Sequence, residues 1–448
     1  MKTLSLQAIA SAVKGTLVGF DKPITSVSTD TRKIATGCLF IALRGERFDG
    51  HDYLAAAVEN GAAAVMTERQ TELAAPQIVV QNTRDAYLAL ASWYLGTFSI
   101  PVVGVTGSVG KTSTREMIAA AIGVRYHVHK NDGNLNNEIG LPATVLSLDE
   151  GYTAAVYEMG MNHAGEISRL AKAVKPTVGV ITNVGMAHIE NLGSRENILA
   201  AKLEILDGMA ENAPLVINMD NDLLSAVKYK HTVTYGIRVP ADYTAVDMET
   251  TENGVTFLCR HNGEDTPVTL PVTGVHNVYN ALAAIAVAGC FSVPPEEAAK
   301  GLLDYHSTGL RQHIEHIGSL TLIEDCYNAN PDSMKAGLDT LRTIAKHRRI
   351  AVLGDMLELG SYAPEAHRVV GEYAASRADL VLTCGEQAAL IAERAEAGGT
   401  TALHFESKEQ LSACLPELLS DGDTVLFKAS RGLKFEDIIE ALKQEIAE

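Results

Sequence analysis

Residues 106–113 read Thr106-Gly107-Ser108-Val109-Gly110-Lys111-Thr112-Ser113: two glycines three apart, then a lysine and two hydroxyl residues. Glycines at that spacing let backbone N–H groups turn inward around an anion, and a helix opening at the lysine aims its N-terminus at the same charge. The chemistry this suits is phosphate binding. Lys111 would contact the β- and γ-phosphates of a nucleoside triphosphate, and the Thr112 hydroxyl would ligate Mg²⁺. The full phosphate-loop signature has glycine where this chain has Val105, so the match is to the shorter G-x-x-G-K-T form. Glu158 ends the apolar run 153–158, and a parallel sheet presents its ligand groups at the C-terminal ends of its strands. That makes it a natural partner for Thr112 on Mg²⁺. His188 stands on a loop after another apolar run, 178–183; read alone, such a histidine is ordinarily structural.

The elements that position these residues alternate strand with helix, as in a parallel sheet. Strands are expected at 102–105, 153–158, 178–183 and 215–218, with helices at 112–122, 165–174 and 196–210. Ahead of them lies a small α/β unit with helices near 5–14 and 53–60 and strands at 38–43, 63–66 and 77–80; a helix at 84–98 leads out of it. Short polar/apolar alternation over 231–272 predicts an antiparallel insertion, and 277–289 an alanine-rich helix. A third alternating unit starts near 308, with strands at 320–324, 350–353, 380–383 and 424–427.

At roughly 150 residues per domain, 448 residues predict three domains, bounded at 1–83, 84–307 and 308–448. There are 37 basic and 55 acidic residues, a net charge of −18, so broad binding of nucleic acid or anionic lipid is not expected. A phosphate site on such a chain must be a local pocket of amides and a few cations. Cys38, Cys259, Cys290, Cys326, Cys384 and Cys414 include no C-x-x-C pair, which argues against zinc and for thiols in a reducing compartment. The N-terminal stretch is interrupted by Ser5, Gln7, Ser11 and Lys14 and reads as an amphipathic helix rather than a signal peptide. The longest apolar run, near 281–293, is too short to span a bilayer. A cytoplasmic protein without membrane insertion is expected.

In chain order, the loop at 107–112, Glu158, His188, Lys202 in Ala200-Ala201-Lys202-Leu203-Glu204-Ile205, His276-Asn277-Val278-Tyr279-Asn280, Arg311 and Asp325 resemble the Mur ligase family, in register over the whole chain. Asn134-Leu135-Asn136-Asn137-Glu138-Ile139-Gly140, Glu158-Met159-Gly160-Met161-Asn162-His163, Asp325-Cys326-Tyr327-Asn328-Ala329-Asn330-Pro331 and Leu353-Gly354-Asp355-Met356-Leu357-Glu358-Leu359-Gly360 look like the branch whose incoming amine is D-alanyl-D-alanine. Ser28-Thr29-Asp30-Thr31-Arg32 and Arg47-Phe48-Asp49-Gly50-His51 resemble the part that holds the UDP-sugar end. Lys428-Ala429-Ser430-Arg431 departs from the family, which usually has glycine in place of Ala429.

The resemblance implies an α/β fold of three domains: a central phosphate-loop ATPase with a parallel sheet, a small N-terminal α/β domain for UDP-MurNAc, and a Rossmann-like C-terminal domain for D-Ala-D-Ala. It implies an ADP-forming amide ligase that uses ATP and Mg²⁺ on UDP-MurNAc-tripeptide and D-Ala-D-Ala through an acyl phosphate. A monomer is expected. ATP contacts would come from residues 106–113, Asn280 (adenine), Asp325 (ribose) and Arg311 (γ-phosphate or acyl phosphate). Metal contacts would come from Thr112, Glu158, His188 and Lys202, the lysine as a carbamate. Lys111, His188, Lys202 and Arg311 would carry the chemistry, and Ser28, Thr29, Asp30, Arg32, Asn136, Asn137, Asn328 and Asn330 would hold substrates. From the residues alone, Lys202 reads as an exposed helix lysine. Three other readings stay open: a sister ligase adding a single amino acid to UDP-MurNAc or glutamate to folate, a phosphate-loop kinase, and a nucleotide-dependent binding module without chemistry.

Overall fold

The strand Val102–Thr106 is buried along its whole length, as is Ala154–Glu158 beside it. Strands covered on both faces read as unbroken apolar runs, which is why the sequence announces them. The computed structural model describes residues 1–45, 48–251, 254–307 and 309–447. Arg47, expected near the UDP-sugar, and Thr308, at an expected domain boundary, lie outside the described residues. By contact the chain divides into two units, residues 1–106, 125–180 and 201–215 in the first and 107–124, 181–200 and 216–448 in the second.

In the first unit, helix Leu6–Ala12 starts at Ser5, whose hydroxyl accepts from the Ala8 N–H. A five-stranded sheet runs Thr16–Val18, Gln77–Val79, Ala64–Thr67, Cys38–Ile41, Ser26–Ser28; its first pair is antiparallel and the rest are parallel. Further along, Val102–Thr106, Ala154–Glu158 and Val128–Lys130 pair in parallel, with Val103 opposite Val156 and Val156 opposite Lys130. Helix Glu166–Val174 has its first turn covered by the Glu204 carboxylate, which accepts from Gly165 and Ser168 N–H at 2.7 and 3.2 Å. A negative charge on a helix N-terminus satisfies orphan donors and suits the dipole. The expected helix 196–210 is shorter than its pattern. It runs as an α-helix over Arg195–Leu203 and tightens into a 3₁₀ turn over Glu204–Gly208, which brings Glu204 onto that N-terminus.

In the second unit, helix Lys111–Gly123 packs against Val275–Cys290 and Pro295–Leu302; a Cβ on Gly301 would sit 2.2 Å from the Ala120 carbonyl oxygen. The predicted insertion is an antiparallel meander of Tyr243–Thr251, Gly254–His261 and Glu264–Leu270, bulged between Val246 and Glu249, while Thr232–Gly236 joins it in parallel. The C-terminal sheet is ordered His313–Ile317, Leu320–Glu324, Thr424–Lys428, Arg349–Gly354, Leu380–Cys384, Thr401–Phe405. All its pairs are parallel except the first hairpin. The two edge strands escape the apolar pattern because both are largely exposed. Thr424–Lys428 inserts between Leu320–Glu324 and Arg349–Gly354, so the chain's direction of winding changes there. Loops 325–330, 355–360 and 429–431 leave the same edge, the usual ligand crevice of such sheets.

All six cysteines are free, and among the described residues no helix is long and apolar enough to cross a membrane. A Cβ on Gly208 would lie 2.1 Å from the backbone carbonyl of Ala171, a contact no rotamer can relieve. Gly208→Ala is therefore expected to destabilise by roughly 1–3 kcal/mol or more; a melting temperature equal to that of the parent would show that the 3₁₀ turn moves freely.

Candidate active site

The loop of residues 107–110 is shaped by two glycines and by Thr182 and Asn183, which follow the strand Val178–Ile181. Gly107 has φ +152° and Gly110 has φ +82°, and a Cβ on Gly107 would lie 1.8 Å from the Thr182 hydroxyl. That hydroxyl donates to the Val109 carbonyl at 2.6 Å, the Asn183 amide oxygen accepts from Val109 N–H at 2.7 Å, and the Asn183 carbonyl accepts from Ser108 N–H at 3.1 Å. Ser108 in turn accepts from Gly185 N–H. Behind the loop, the Asn280 side-chain oxygen accepts from the Thr114 hydroxyl at 3.0 Å, and its amide group donates to Asn277. Lys111 Nζ donates to the Gly107 carbonyl at 2.9 Å, and Ser113 bonds the buried Tyr305. Helix Lys111–Gly123 thus starts where the sequence predicted, with its first amides facing the loop.

His188 also lies in this unit, in the left-handed region with φ +62° and its ring mostly buried. Glu358 Oε2 is 2.6 Å from its Nδ1. His188 beside Glu358 holds that carboxyl below the ordinary range, with Lys111 adding to the effect. At the C-terminal crevice, the ammonium of Lys428, only 1 % exposed, donates to the Asp325 carboxylate at 2.7 Å and to the Asn328 carbonyl at 3.2 Å. The Arg311 guanidinium lies 4.0 Å above the Tyr327 ring. Asn330 caps helix Pro331–Ile344 in a reciprocal box with Ser333, and Asn328 is exposed.

In the first unit, Thr106 is fully buried and its hydroxyl has no hydrogen-bond partner among the described residues. Glu158, 1 % exposed, accepts from the Asn136 amide at 2.7 Å, and Asn131 brackets its backbone. A Cβ on Gly160 would be 2.8 Å from the Asn136 side-chain oxygen, which accounts for the glycine two residues after the acid. The Asn137 side chain accepts from Ile139 and Gly140 N–H, at the start of helix Gly140–Leu146. Near the N-terminus Ser28 hydrogen-bonds the Asp30 backbone, Thr29 lies between them, and the Arg32 guanidinium grips the Asp30 carboxylate in a bidentate pair. That pairing holds the Asp30 pKa at about 2. Lys202 corrects an expectation. It is not an exposed helix lysine but is 1 % exposed, at the last turn of its helix.

The sequence matches the Mur ligase middle domain over residues 105–288, the Mur ligase glutamate ligase domain over 311–431 and the Mur ligase family catalytic domain over 23–93. It is 41 % identical to the UDP-N-acetylmuramoyl-tripeptide–D-alanyl-D-alanine ligase of Bacillus subtilis, with 98 % of each chain covered. The chain belongs to the Mur ligase family. Among solved structures, MurF from Acinetobacter baumannii superposes with a TM-score of 0.93 at 30 % identity over 99 % of both chains. MurF from Thermotoga maritima in complex with ADP gives 0.84 at 30 % identity, over 94 % of this chain and 98 % of that one. The expected three-domain α/β Mur ligase fold is the fold of this chain.

For this Mur ligase the sequence named the loop, the acid at the strand end and the crevice residues. It assigned nothing to Thr182, Asn183, Lys428, Ser430 or Glu358. Lys428 had a readable signal, since a lysine ending an apolar parallel strand faces the ligand edge. Among the described residues the one cluster of three potential metal ligands is His313, Glu315 and Glu324. Lys443 bridges its two carboxylates at 2.5 and 2.6 Å, so it reads as an ion-pair cluster.

Removing one member of a buried ion pair leaves a charge without compensation, at a cost on the order of 3–5 kcal/mol. Lys428→Met should accordingly lower the melting temperature, and adding Asp325→Asn should recover part of the loss. Equal melting temperatures for the parent and Lys428→Met would contradict the pairing.

Proposed function

We propose that this chain joins D-alanyl-D-alanine to UDP-N-acetylmuramoyl-tripeptide at the expense of ATP, giving the UDP-MurNAc-pentapeptide of cell-wall synthesis. The end-to-end relationship to ligases of that name, which runs through the C-terminal crevice as well as the ATPase core, carries this reading. The reaction belongs in the cytoplasm, in a monomer. Residues 1–83 would bind the UDP-sugar, 84–307 ATP, and 308–448 the dipeptide.

A carboxylate and an amine do not condense in water. The carboxylate oxygen attacks the γ-phosphorus, ADP leaves, and the amine nitrogen then attacks the acyl carbon as the C–O bond breaks and phosphate departs. Both partners of the first step are anions on a chain of net charge −18, so the site must concentrate cations and amide donors. Lys111 and the amides of residues 107–112 meet the β- and γ-phosphates. Arg311, held over the Tyr327 ring, would contact the γ-phosphate or the acyl phosphate. Asp325, fixed by Lys428, takes the ribose, and Asn280 the adenine.

The donors fit Mg²⁺. Glu158 and Thr112 are buried oxygen ligands of the hard type this ion prefers. Thr112 and Glu158 would hold one ion, and His188 and Lys202 a second. Bound there, Mg²⁺ would neutralise the phosphate oxygens. A carbamate would turn Lys202, 1 % exposed, into an oxygen ligand. The exposed Arg32, kept in place by Asp30, is suited to the diphosphate of the UDP-sugar, with Ser28 and Thr29 beside it. Asn136 and Asn137 would contact the tripeptide, and Asn328 and Asn330 the dipeptide.

Supplying ATP, Mg²⁺, UDP-MurNAc-tripeptide and D-Ala-D-Ala should give the pentapeptide by mass spectrometry, together with ADP and free phosphate. A phosphorylated substrate without amide would instead indicate a kinase. Lys111→Ala should abolish phosphate release without unfolding the protein; turnover within a few-fold of the parent would remove the loop from the chemistry. Lys202→Ala should be nearly inactive and partly rescued by acetate or formate, whereas Lys202→Arg should not be. An alanine variant with full activity would return Lys202 to a packing role.

A further inference from the structure

We infer that Glu358 is a positioning residue for the metal-facing imidazole of His188, an inference that rests on the metal role proposed above for that histidine. Nδ1 of His188 is buried, and the Glu358 carboxylate lies 2.6 Å from it. A carboxylate at Nδ1 keeps the proton on that nitrogen, so Nε2 presents its lone pair. Metal-binding histidines are commonly oriented by such a partner, and losing it weakens metal binding roughly 10–100-fold.

The backbone on both sides of the contact is arranged around it. His188 has φ +62° and Glu358 φ +63°, a conformation that non-glycine residues adopt at a cost and that the surroundings must enforce. Glu190 N–H donates to the Glu358 carbonyl at 3.2 Å, the Tyr362 hydroxyl donates to the Gly193 carbonyl at 3.2 Å, and Gly360 leaves room for the Glu190 side chain. The Glu358 loop is fixed from behind as well. Met356 N–H donates to His367 Nε2 at 3.0 Å, and Leu357 N–H donates to the Ser430 hydroxyl at 2.9 Å. His367 is fully buried and bonds the Ala363 carbonyl through Nδ1, so both of its nitrogens are committed. Glu358 is therefore carried on a rigid loop of the C-terminal sheet, and the imidazole is correctly oriented only when that loop is seated on residues 188–193.

The test is Mn²⁺ binding, read by the loss of the free-ion paramagnetic resonance signal, to the full-length protein with saturating ADP. His188→Ala should weaken one Mn²⁺ site, and Glu358→Ala should weaken the same site about tenfold or more. Glu358→Gln, which keeps an oxygen for the ring N–H, should lose less. ADP affinity measured without metal should stay within about twofold in every variant. The double variant His188→Ala/Glu358→Ala should bind Mn²⁺ no more weakly than His188→Ala alone, because Glu358 acts through the ring. Parental Mn²⁺ binding in Glu358→Ala, or additive losses in the double variant, would overturn the inference while leaving His188 as a ligand. Parental binding in His188→Ala would overturn the metal role and the inference together.

Discussion

A tight glycine turn over residues 107–110 opens helix Lys111–Gly123 in a chain that carries eighteen excess negative charges, and the rest of the candidate site depends on that loop. Its curvature is possible because Gly107 has no side chain, and the space a side chain would need is filled by Thr182. Thr182 and Asn183 support it: the Thr182 hydroxyl donates to the Val109 carbonyl, the Asn183 amide oxygen accepts from the Val109 N–H, and both follow the strand Val178–Ile181. Helix Lys111–Gly123 is then fixed by its own neighbours, with Asn280 at its first turn and Gly301 at its last. Val105, where the full signature has glycine, stays buried in the strand and is outside this machinery.

The C-terminal crevice applies a second constraint, a buried charge pair used as a joint. Lys428 ties the carboxylate of Asp325 to the carbonyl of Asn328, and two residues on Ser430 receives Leu357 and donates its own N–H to Asp355. One strand end therefore sets two loops. A buried ion pair is a poor source of stability compared with apolar packing, but it fixes geometry, because neither partner can leave without stranding the other. The departure at Ala429 does not disturb this, since Ala429 is fully buried and packs in the core of that sheet.

Much of this was legible in the sequence, for physical reasons. Strands covered on both faces, such as Ala154–Glu158, print themselves as apolar runs, and the loop motif is local, so strand, turn and helix appear in eight consecutive residues. The edge strands His313–Ile317 and Thr401–Phe405 were not read, because half-exposed strands carry mixed residues. From the residues alone Lys202 reads as an exposed helix lysine, and the structure buries it. The tightening at Glu204–Gly208, driven by Glu204 reaching Gly165 and Ser168, is a tertiary event that no helical period encodes. The contact of His188 with Glu358 joins residues far apart in the chain, and no spacing rule links them. The Asn-rich strings suggest substrate contacts for Asn137 and Asn330; what they do not reveal is that both also hydrogen-bond at a helix start.

The loop of residues 107–110 depends on support from Thr182 and Asn183, after the strand Val178–Ile181. Isothermal titration of ADP into Asn183→Ala tests it directly, with melting temperature as the check on folding. Loss of the bond to Val109 should weaken ADP binding by about tenfold, the equivalent of one well-placed hydrogen bond. Binding equal to the parent in a folded variant would contradict the account.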